Sequence, residues 1–521
     1  MSVDIIVVGA GSNSLTTACY LAKAGLSVLV LEREEQCGGG VVSVSTAPGF
    51  THDSHAMGYM VCRANPTLKN DELELHSRFG LKFGFGEAPF ASLYPDGNGL
   101  ISYTNFDRAV KEIARFSEKD ARTYAQLVED ALEVLPILSR SFFTPPLPYD
   151  GFMKLLESSD KGRGLLQVLK GSVVDFLNEK FESPHVKVHM AKWAAELMCG
   201  PDLPGTGLTM YLIMGMGHQV QMGTVIGGAK SMTNALIACL KHHGGELRTG
   251  ATVARLTASG GRCTGVVLDT GETLTASKAV VANIHPWDLG DMVPGVPADV
   301  AQRARAVKLS EFGAINQQIA LTEAPQWIGG EEYSKAALVE CLLPDWDKFL
   351  RPYEGFRRNQ MLLDCLGPLA GPQSNFDPSR APPGQCALYL YSFAPLKIEG
   401  GWDKRKQEIG DAVFDWFTKF TRNIDRSKIL GRLIECPEDH HKHSRIMRNG
   451  DIMGIAMTAD QLLGARPTKE LAGYRVPGVE ALYLTGCTTH PGGLVSLGGR
   501  APAMTIYDDF GIDLSVGFID W

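Results

Sequence analysis

The sequence predicts an α/β fold organised around one βαβ unit near its N-terminal end. Three observations carry this expectation. A β-branched apolar run, Asp4-Ile5-Ile6-Val7-Val8, leads into the glycine turn Gly9-Ala10-Gly11-Ser12-Asn13-Ser14. A helical segment from Leu15 to Ala24 closes on Gly25, and a second apolar run from Ser27 to Leu31 ends on Glu32. A second glycine-rich loop before a helix, 485–500, recurs at the far end of the chain. The first two observations give strand, turn, helix, strand and acid, which is the order of a dinucleotide-binding unit.

Each part of that unit has a physical task. Gly9 permits the tight turn out of the strand, and Gly11 lets the backbone come close to a pyrophosphate. The helix starting near Ser12 points its N–H groups and positive dipole end at that phosphate. Glu32 can accept both ribose hydroxyls and would repel a 2′-phosphate. Its distance from Gly9 matches the expected spacing of about 20 residues. The third glycine, which allows close helix–strand packing, is replaced by Ser14, the next-smallest polar choice.

Composition narrows the class. A chain of 521 residues with 44% hydrophobic and 21% charged residues is ordinary for a large globular protein. A net charge of −8 and the lack of a basic run argue against a nucleic-acid-binding surface. Eleven cysteines without a C-x-x-C pair fit buried thiols in a reducing compartment, so a cytoplasmic protein is expected. The chain enters its first strand at once, without a secretory signal. No apolar run reaches the ~18 residues of a membrane span. Peripheral membrane contact and homo-oligomerisation stay open.

After Glu32 comes the cluster Cys37-Gly38-Gly39-Gly40. Glycines at that point allow the chain to fold back over a pyrophosphate, as in large flavoproteins. In simple nicotinamide dehydrogenases the chain continues through further βα units instead. Pro48 to His55 then returns toward the cofactor and brings two histidines and Asp53. His52 and Asp53 are expected to be loop and cap residues, and His55 is the catalytic candidate.

From about 66 to 225 helical patterns dominate: Asp107 to Phe116, Lys119 to Leu138, and Gly151 to Leu177. In the second of these, Tyr124, Leu127, Val128, Ala131, Leu132 and Leu135 fall at helical spacing. Leu208 to Met222 carries Met210, Met214, Met216 and Met222, either as plain core or as a wall of an apolar substrate cavity. Gly227 to Ser231 precedes an amphipathic helix, Met232 to His242. Strand signals follow at 246–256, 265–268 and 274–282, with a hairpin turn at 269–272. Further on, Ile315 to Leu321, Ala336 to Leu343 and Ala387 to Phe393 read as strands, and Ile409 to Thr421 as a helix. His440-His441-Lys442-His443 has poor spacing for a metal on one regular element, so no metal site is expected.

The closing block runs Leu482-Tyr483-Leu484-Thr485-Gly486, then His490-Pro491-Gly492-Gly493-Leu494-Val495, then a helix from Ala501 to Phe510. A flavin needs backbone donors near its ribityl–phosphate arm and a helix N-terminus near N1 and O2 of the ring. Gly486 at the arm and Gly493 to Val495 at the ring supply these. His490 joins His55 as a catalytic candidate.

Together the Gly9–Glu32 fingerprint, Gly38–Gly40, the Gly227–Lys230 turn and the closing block resemble the phytoene desaturase and carotenoid isomerase-like FAD-dependent oxidoreductases. The closest likeness is to their phytoene dehydrogenase-related branch, which includes the pyridine nucleotide-disulfide oxidoreductase domain-containing protein 2 type. The motifs cover about half the chain. The resemblance implies a Rossmann-type FAD-binding domain of the two-dinucleotide-motif, amine oxidase-like class, with an inserted α+β substrate domain. The expected division is 1–65, 225–290 and 445–521 for FAD, and 66–224 with 291–444 for substrate. The cofactor set it implies comprises Gly9, Gly11, Ser12, Asn13, Ser14, Glu32, Arg33, Gly39, Gly40, Val41, Val253, Gly486, Gly493, Leu494 and Val495. Departures are Ser14 and Ser496-Leu497-Gly498, where relatives often have Thr-Gly-Ala.

The expected function is removal of hydride from a C–C bond of a largely apolar small molecule onto flavin N5, with His55 or His490 taking the proton. With only one dinucleotide fingerprint, the electron acceptor would be oxygen, a quinone or a redox protein. Two alternatives are amine oxidation at a C–N bond and redox-neutral isomerisation with reduced flavin. No aromatic-rich segment beside the flavin stands out to favour the amine.

Overall fold

The computed structural model describes residues 2–493 and 495–519. Its first seven-stranded sheet draws strands from both ends and the middle of the chain. The order is Val253–Ser259, Arg262–Leu268, Thr273–Ala282, Ser2–Val8, Val28–Leu31 and Glu246–Arg248, with Leu482–Leu484 pairing the Thr273–Ala282 strand. The central strand is apolar without alternation because both its faces are covered. Ile5 and Val7 enter one buried cluster, with the helices Ser12–Lys23, Lys230–His242 and Arg500–Phe510. Ile6 and Val8 enter another, with Val253, Leu256, Val300 and Ala304.

Register positions the site. Val8 pairs in parallel with Leu31 and with Ala282, and Ala282 pairs with Leu484. Four parallel strands therefore end at one edge. The next residues are Gly9, Glu32, Asn283 and Thr485-Gly486. Ligands of open α/β sheets bind beyond such carboxyl ends.

A second seven-stranded sheet runs Ile429–Glu435, Phe312–Leu321, Cys386–Pro395, Leu369–Pro372, Ala336–Cys341, Ala88–Leu93 and Gly99–Ser102. One face packs against the helix Trp402–Thr418 through Ile319, Leu388, Leu390, Val413 and Phe417. The other face, with Phe312, Tyr389, Tyr391 and Phe393, packs against the helical part of the chain.

Two expectations are corrected in that helical part. Residues 88–93 and 99–102 are strands within a segment read as mainly helical. Ala-Pro-Phe-Ala-Ser-Leu is buried at all six positions, so it lacks the alternation that marks a half-exposed strand. The continuous helix expected over 151–177 is instead Tyr149–Glu157, Asp160–Lys170 and Val173–Lys180. Ser159 and Ser172 each cap a new start, accepting from the N–H of Gly162 and Asp175. The long helix Glu118–Phe143 continues through Pro136 and stops before Pro145-Pro146. Leu208–Gln219 lies against it.

Candidate functional site

The site grows from the strand edge. Gly9, at φ +91°, turns the chain out of the sheet and donates to Leu31 O at 2.7 Å. Glu32 is fixed by the backbone: its Oε2 accepts from Ala10 N at 2.6 Å and its Oε1 from Glu34 N at 3.0 Å. The glycine cluster folds back as expected. Gly38 N donates to Ala10 O, and Ser12 N donates to Gly38 O. A Cβ on Gly39 would lie 3.2 Å from Gly11 Cα, and one on Gly38 would lie 2.3 Å from Val41 O. Gly40 and Val41 are buried beneath, with Thr233 Oγ1 donating to Val41 O.

These turns open on a cleft of about 410 Å³. Gly9, Gly11, Glu32, Arg33, Gly39 and Val253 all line it. Arg33 is held at its rim, donating to Glu34 Oε1 and His443 O. Asn283, which sequence reasoning passed over, stands in the same cleft at the end of its strand. Its Oδ1 is buried without a partner, and a Cβ on Gly486 would lie 2.1 Å from that atom. A cradle that only glycine can line, an orphaned acceptor and an acid at the strand end fit a dinucleotide.

The closing loop is bonded directly to the first helix. Asn13 Oδ1 accepts from Gly498 N at 3.1 Å, and its Nδ2 donates to Gly493 O at 3.3 Å. Thr17 Oγ1 lies 2.9 Å from Thr485 Oγ1 and donates to Gly499 O. A Cβ on Gly499 would lie 2.0 Å from Asn13 O. Asn65 Nδ2 donates to Ser496 O and Leu497 O, and Arg500 pairs with buried Glu72 at 2.8 Å. Val495 packs against the core from a partly buried position, and Leu494 lies outside the described residues. Ser14 is fully buried with its hydroxyl unpartnered.

The two candidate histidines occupy different surroundings. His55 has a buried, unpartnered Nε2. Its ring lies 5.4 Å from that of His440 and 4.6 Å from that of His443, centroid to centroid. Those two come from the helix Pro437–His443, where i, i+3 spacing puts them on one face. His443 Nε2 donates to Gly39 O at 2.8 Å, so this histidine group adjoins the glycine cradle. His440 Nε2 donates to Asn316 Oδ1 at 2.6 Å, while Asn316 and Gln318 both donate to Ser54 O. Ser54 Oγ in turn donates to Glu435 Oε2 at 2.9 Å. This buried net holds the backbone beside His55. Burial, with the two neighbouring imidazoles, holds His55 well below the usual histidine range. Burial also pushes Glu435 up to about 7. Among the described residues no three His, Cys, Asp or Glu side chains are arranged to hold a metal.

His490 is fully enclosed, and burial lowers it to about 4. Its Nε2 donates to Ser141 O at 2.7 Å, which leaves Nδ1 as the unpartnered lone pair. Its ring neighbour is Phe142, at the end of the long helix.

Asp53, expected as a loop cap, is instead part of a buried charge lattice. Arg380 Nη1 lies 2.8 Å from Asp53 Oδ1 and its Nε 2.9 Å from Asp377 Oδ2, all three side chains buried. Asp53 also accepts from Ala229 N, and Asp377 from Gly227 N. The lattice thus ties the 51–55 loop to the Gly227–Ala229 turn. His52 is buried beside it, bonded to Thr46 Oγ1.

Beyond His55 lies an apolar wall. Met57 and Met60 share one buried cluster with Met210, Met214, Met216 and Met222. The same cluster includes Tyr389, Tyr391 and Phe393, on alternate positions of one strand. Tyr389 donates to His55 O at 3.4 Å and stacks on Tyr391 at 6.2 Å. This aromatic pair was not legible in the sequence, because nothing local marks which face of a buried strand meets the site.

Comparison with known proteins agrees with the geometry. The flavin containing amine oxidoreductase family matches residues 15–338, more than half of the chain. Pyridine nucleotide-disulfide oxidoreductase domain-containing protein 2 of Rattus norvegicus is 27% identical, over 97% of this chain and 93% of its own. A phytoene desaturase (lycopene-forming) of Paracoccus sp. is 24% identical, over 96% and 95%. The crystal structure of cyclohexylamine oxidase from Brevibacterium oxydans superposes with a TM-score of 0.60 over 98% of this chain and 100% of that one, at 18% identity. The cradle at the strand edge thus has the relatives that its chemistry calls for, and the chain belongs to the flavin containing amine oxidoreductase family as an FAD-dependent oxidoreductase.

Proposed function

We propose that this enzyme dehydrogenates a C–C bond of a largely apolar small molecule. The observation that carries the reading is the buried cluster of methionines and aromatics that adjoins His55, with the Tyr389 hydroxyl on the His55 carbonyl. An apolar substrate gains from that surface. The phytoene desaturase among the relatives supports the same chemistry.

In this reading Gly9, Gly11, Gly39 and Gly486 let the backbone approach the pyrophosphate, and Glu32 accepts the ribose hydroxyls. Asn13 holds the closing loop, with Gly493 and Val495, against the flavin. FAD bound there supplies a hydride-accepting ring. The apolar wall orients the substrate and excludes water. His55, kept neutral by burial, takes the proton at Nε2. His440, Asn316 and Ser54 fix its position. The helix bearing His440 and His443 lies in the 291–444 part, assigned to substrate, and reaches across to the cofactor part. The electron acceptor is oxygen, a quinone or a redox protein, because a second dinucleotide fingerprint is lacking in the sequence.

Anaerobic mixing of the yellow protein with alicyclic, terpenoid and amine compounds tests this. Bleaching by the first two classes and not by amines is the expected result. Bleaching by amines alone would replace the reading with C–N oxidation. Product formation without net bleaching would point to isomerisation.

A further inference from the structure

We propose that the end of the apolar wall remote from His55 receives a neutral carbonyl oxygen of the substrate, donated to by Lys192 Nζ and Glu340 Oε1. This rests on the reading of that wall as the substrate side. Lys192 comes from the helix Pro184–Ala194 and Glu340 from the strand Ala336–Cys341, and both are buried. Their heads lie 3.8 Å apart. Tyr389 and Tyr391 connect them to the site: Tyr389 meets His55 O, and Tyr391 donates to Glu196 Oε2 at 3.2 Å. Glu196 Oε1 accepts from Lys192 Nζ.

The hydrogen bonds determine what is left over. Ser92 donates to Glu340 Oε2 at 2.9 Å and stands 2.8 Å from His189 Nδ1. His189 Nε2 stands 2.7 Å from Ser102 Oγ. With its one proton already given to Glu340, Ser92 accepts from Nδ1–H, and Nε2 accepts from Ser102. Glu340 Oε2 is therefore an acceptor. Its Oε1 is buried and unpartnered. Burial pushes Glu340 up to about 8, which favours the protonated form near neutral pH, and with Oε2 accepting from Ser92 the oxygen left for the hydrogen is Oε1. Lys192 has three N–H donors and spends one on Glu196. The two heads, 3.8 Å apart, are thus close enough for one acceptor in the space beside them to take a hydrogen from each.

That space selects by charge. Lys192 and Glu196 cancel, and protonated Glu340 adds nothing, so a carboxylate would be buried without a counter-charge. An ammonium would meet Lys192, which already sits 3.7 Å over the Phe393 ring where a cation would lodge. A neutral oxygen acceptor meets neither penalty. Lys192 also lines, with Tyr353, Phe356 and Phe393 but without Glu340, a cavity of about 40 Å³ that has room for a terminal group rather than a ring.

The test is binding to the FAD-loaded enzyme, measured anaerobically by calorimetry with four probes of one frame: cyclohexyl methyl ketone, ethylcyclohexane, cyclohexanecarboxylate and 1-cyclohexylethylamine. The ketone should bind about tenfold or more tightly than each of the others, the gain of one hydrogen bond to a charged donor. In Lys192→Met/Glu196→Gln, which removes both charges together, the ketone should fall to within about twofold of the hydrocarbon, whose affinity stays put. Glu340→Gln keeps a donor and should keep the preference, while Glu340→Leu should lose it. This second pair decides the matter if the double variant does not fold. Equal binding of ketone and hydrocarbon, tightest binding of carboxylate or amine, or a full preference retained both in Lys192→Met/Glu196→Gln and in Glu340→Leu would overturn the proposal. Calorimetry needs no turnover. Ketone preference without any bleaching sinks the dehydrogenation reading and leaves the site, whereas bleaching without preference does the reverse.

Discussion

At the scale of single residues, Asn283 and Gly486 set the tightest tolerance in the cradle. Gly486 has φ +113°, and any Cβ there would meet Asn283 Oδ1 at 2.1 Å. Gly486→Ala therefore incurs both backbone strain and a clash, each of about 1–3 kcal/mol. The expected result is at least a tenfold weaker hold on FAD, read from the ratio of visible to ultraviolet absorbance after dialysis. Asn283→Ala in the same chain should restore part of it, since the clash goes and the strain stays. The two histidines nominated from sequence separate at the same scale. His55→Ala should slow flavin bleaching about 100-fold or more with FAD content unchanged, the size of a lost general base. His490→Ala should instead leave Ser141 O unbonded and lower stability by about 1–3 kcal/mol. The pH profile carries a sign as well. His55 is held below the usual range, so it is already the free base at pH 6.5. Bleaching should stay level from pH 8 to below 6.5 and fail only as the pH drops through that depressed value.

At the scale of elements, the molecule is joined by polar side chains at points where chain segments of distant sequence meet. Arg380 is the clearest. It binds Asp53, Asp377 and Val225 O from full burial and so fixes the 51–55 loop against the Gly227 turn. Arg380→Met would leave two carboxylates facing each other in a dry interior. Removing one partner of a buried ion pair costs about 3–5 kcal/mol. A loss of that size in urea unfolding is expected, and Asp53→Asn/Arg380→Met should recover part of it. These joints also explain what could be read beforehand. The Gly9–Glu32 unit, Gly38–Gly40 and the closing loop were legible because their chemistry depends on local order and spacing. The strands at 273–282 and 312–321 were legible by their apolar runs. Asp53, His440, His443 and Tyr389 acquire their roles through partners more than a hundred residues away, and Lys192 meets Glu340 across a similar distance in sequence. In sequence they look like a cap, a surface run, a strand and a helix charge. The short strand 88–93 escaped for the opposite reason, since burial on both faces removes the pattern that identifies a strand.

At the scale of the whole molecule, buried histidines make stability depend on pH in a stated direction. His52, His285, His440 and His490 are each lowered by burial to about 4, and His189 to about 3. They lie in both sheets' surroundings and in the closing loop, so their protonation strains the whole fold. A histidine with a depressed folded pKa contributes stability that is complete above its unfolded value of about 6.5 and is lost as the pH falls toward the folded one. Raised carboxyls act in the other sense, Asp53 and Asp451 among them. Glu340 is raised to about 8 and Glu435 to about 7. Their contribution is complete below the unfolded value of about 4.5 and is lost as the pH rises through the folded one. Between pH 6.5 and 4.5 the unfolded chain gains protons on five histidines that the folded chain refuses. Over the same range the folded chain holds protons on Glu340 and Glu435, and at most on Asp53 and Asp451 besides, that the unfolded chain has released, while His55 joins the lowered histidines. The histidines outnumber the carboxyls, so stability should fall across this window on acidification. Above pH 6.5 the raised carboxyls act alone, and stability should decline again, more gently, until the pH passes the Glu340 value of about 8. A maximum in the thermal midpoint near pH 6.5–7, dropping by several degrees by pH 5, is the expected scan at constant salt. Replacing Glu340 and Glu435 together by Gln should flatten the alkaline limb and leave the acidic one in place. A scan that rises from pH 6.5 to 5 would mean that these histidines are not held neutral in the folded protein.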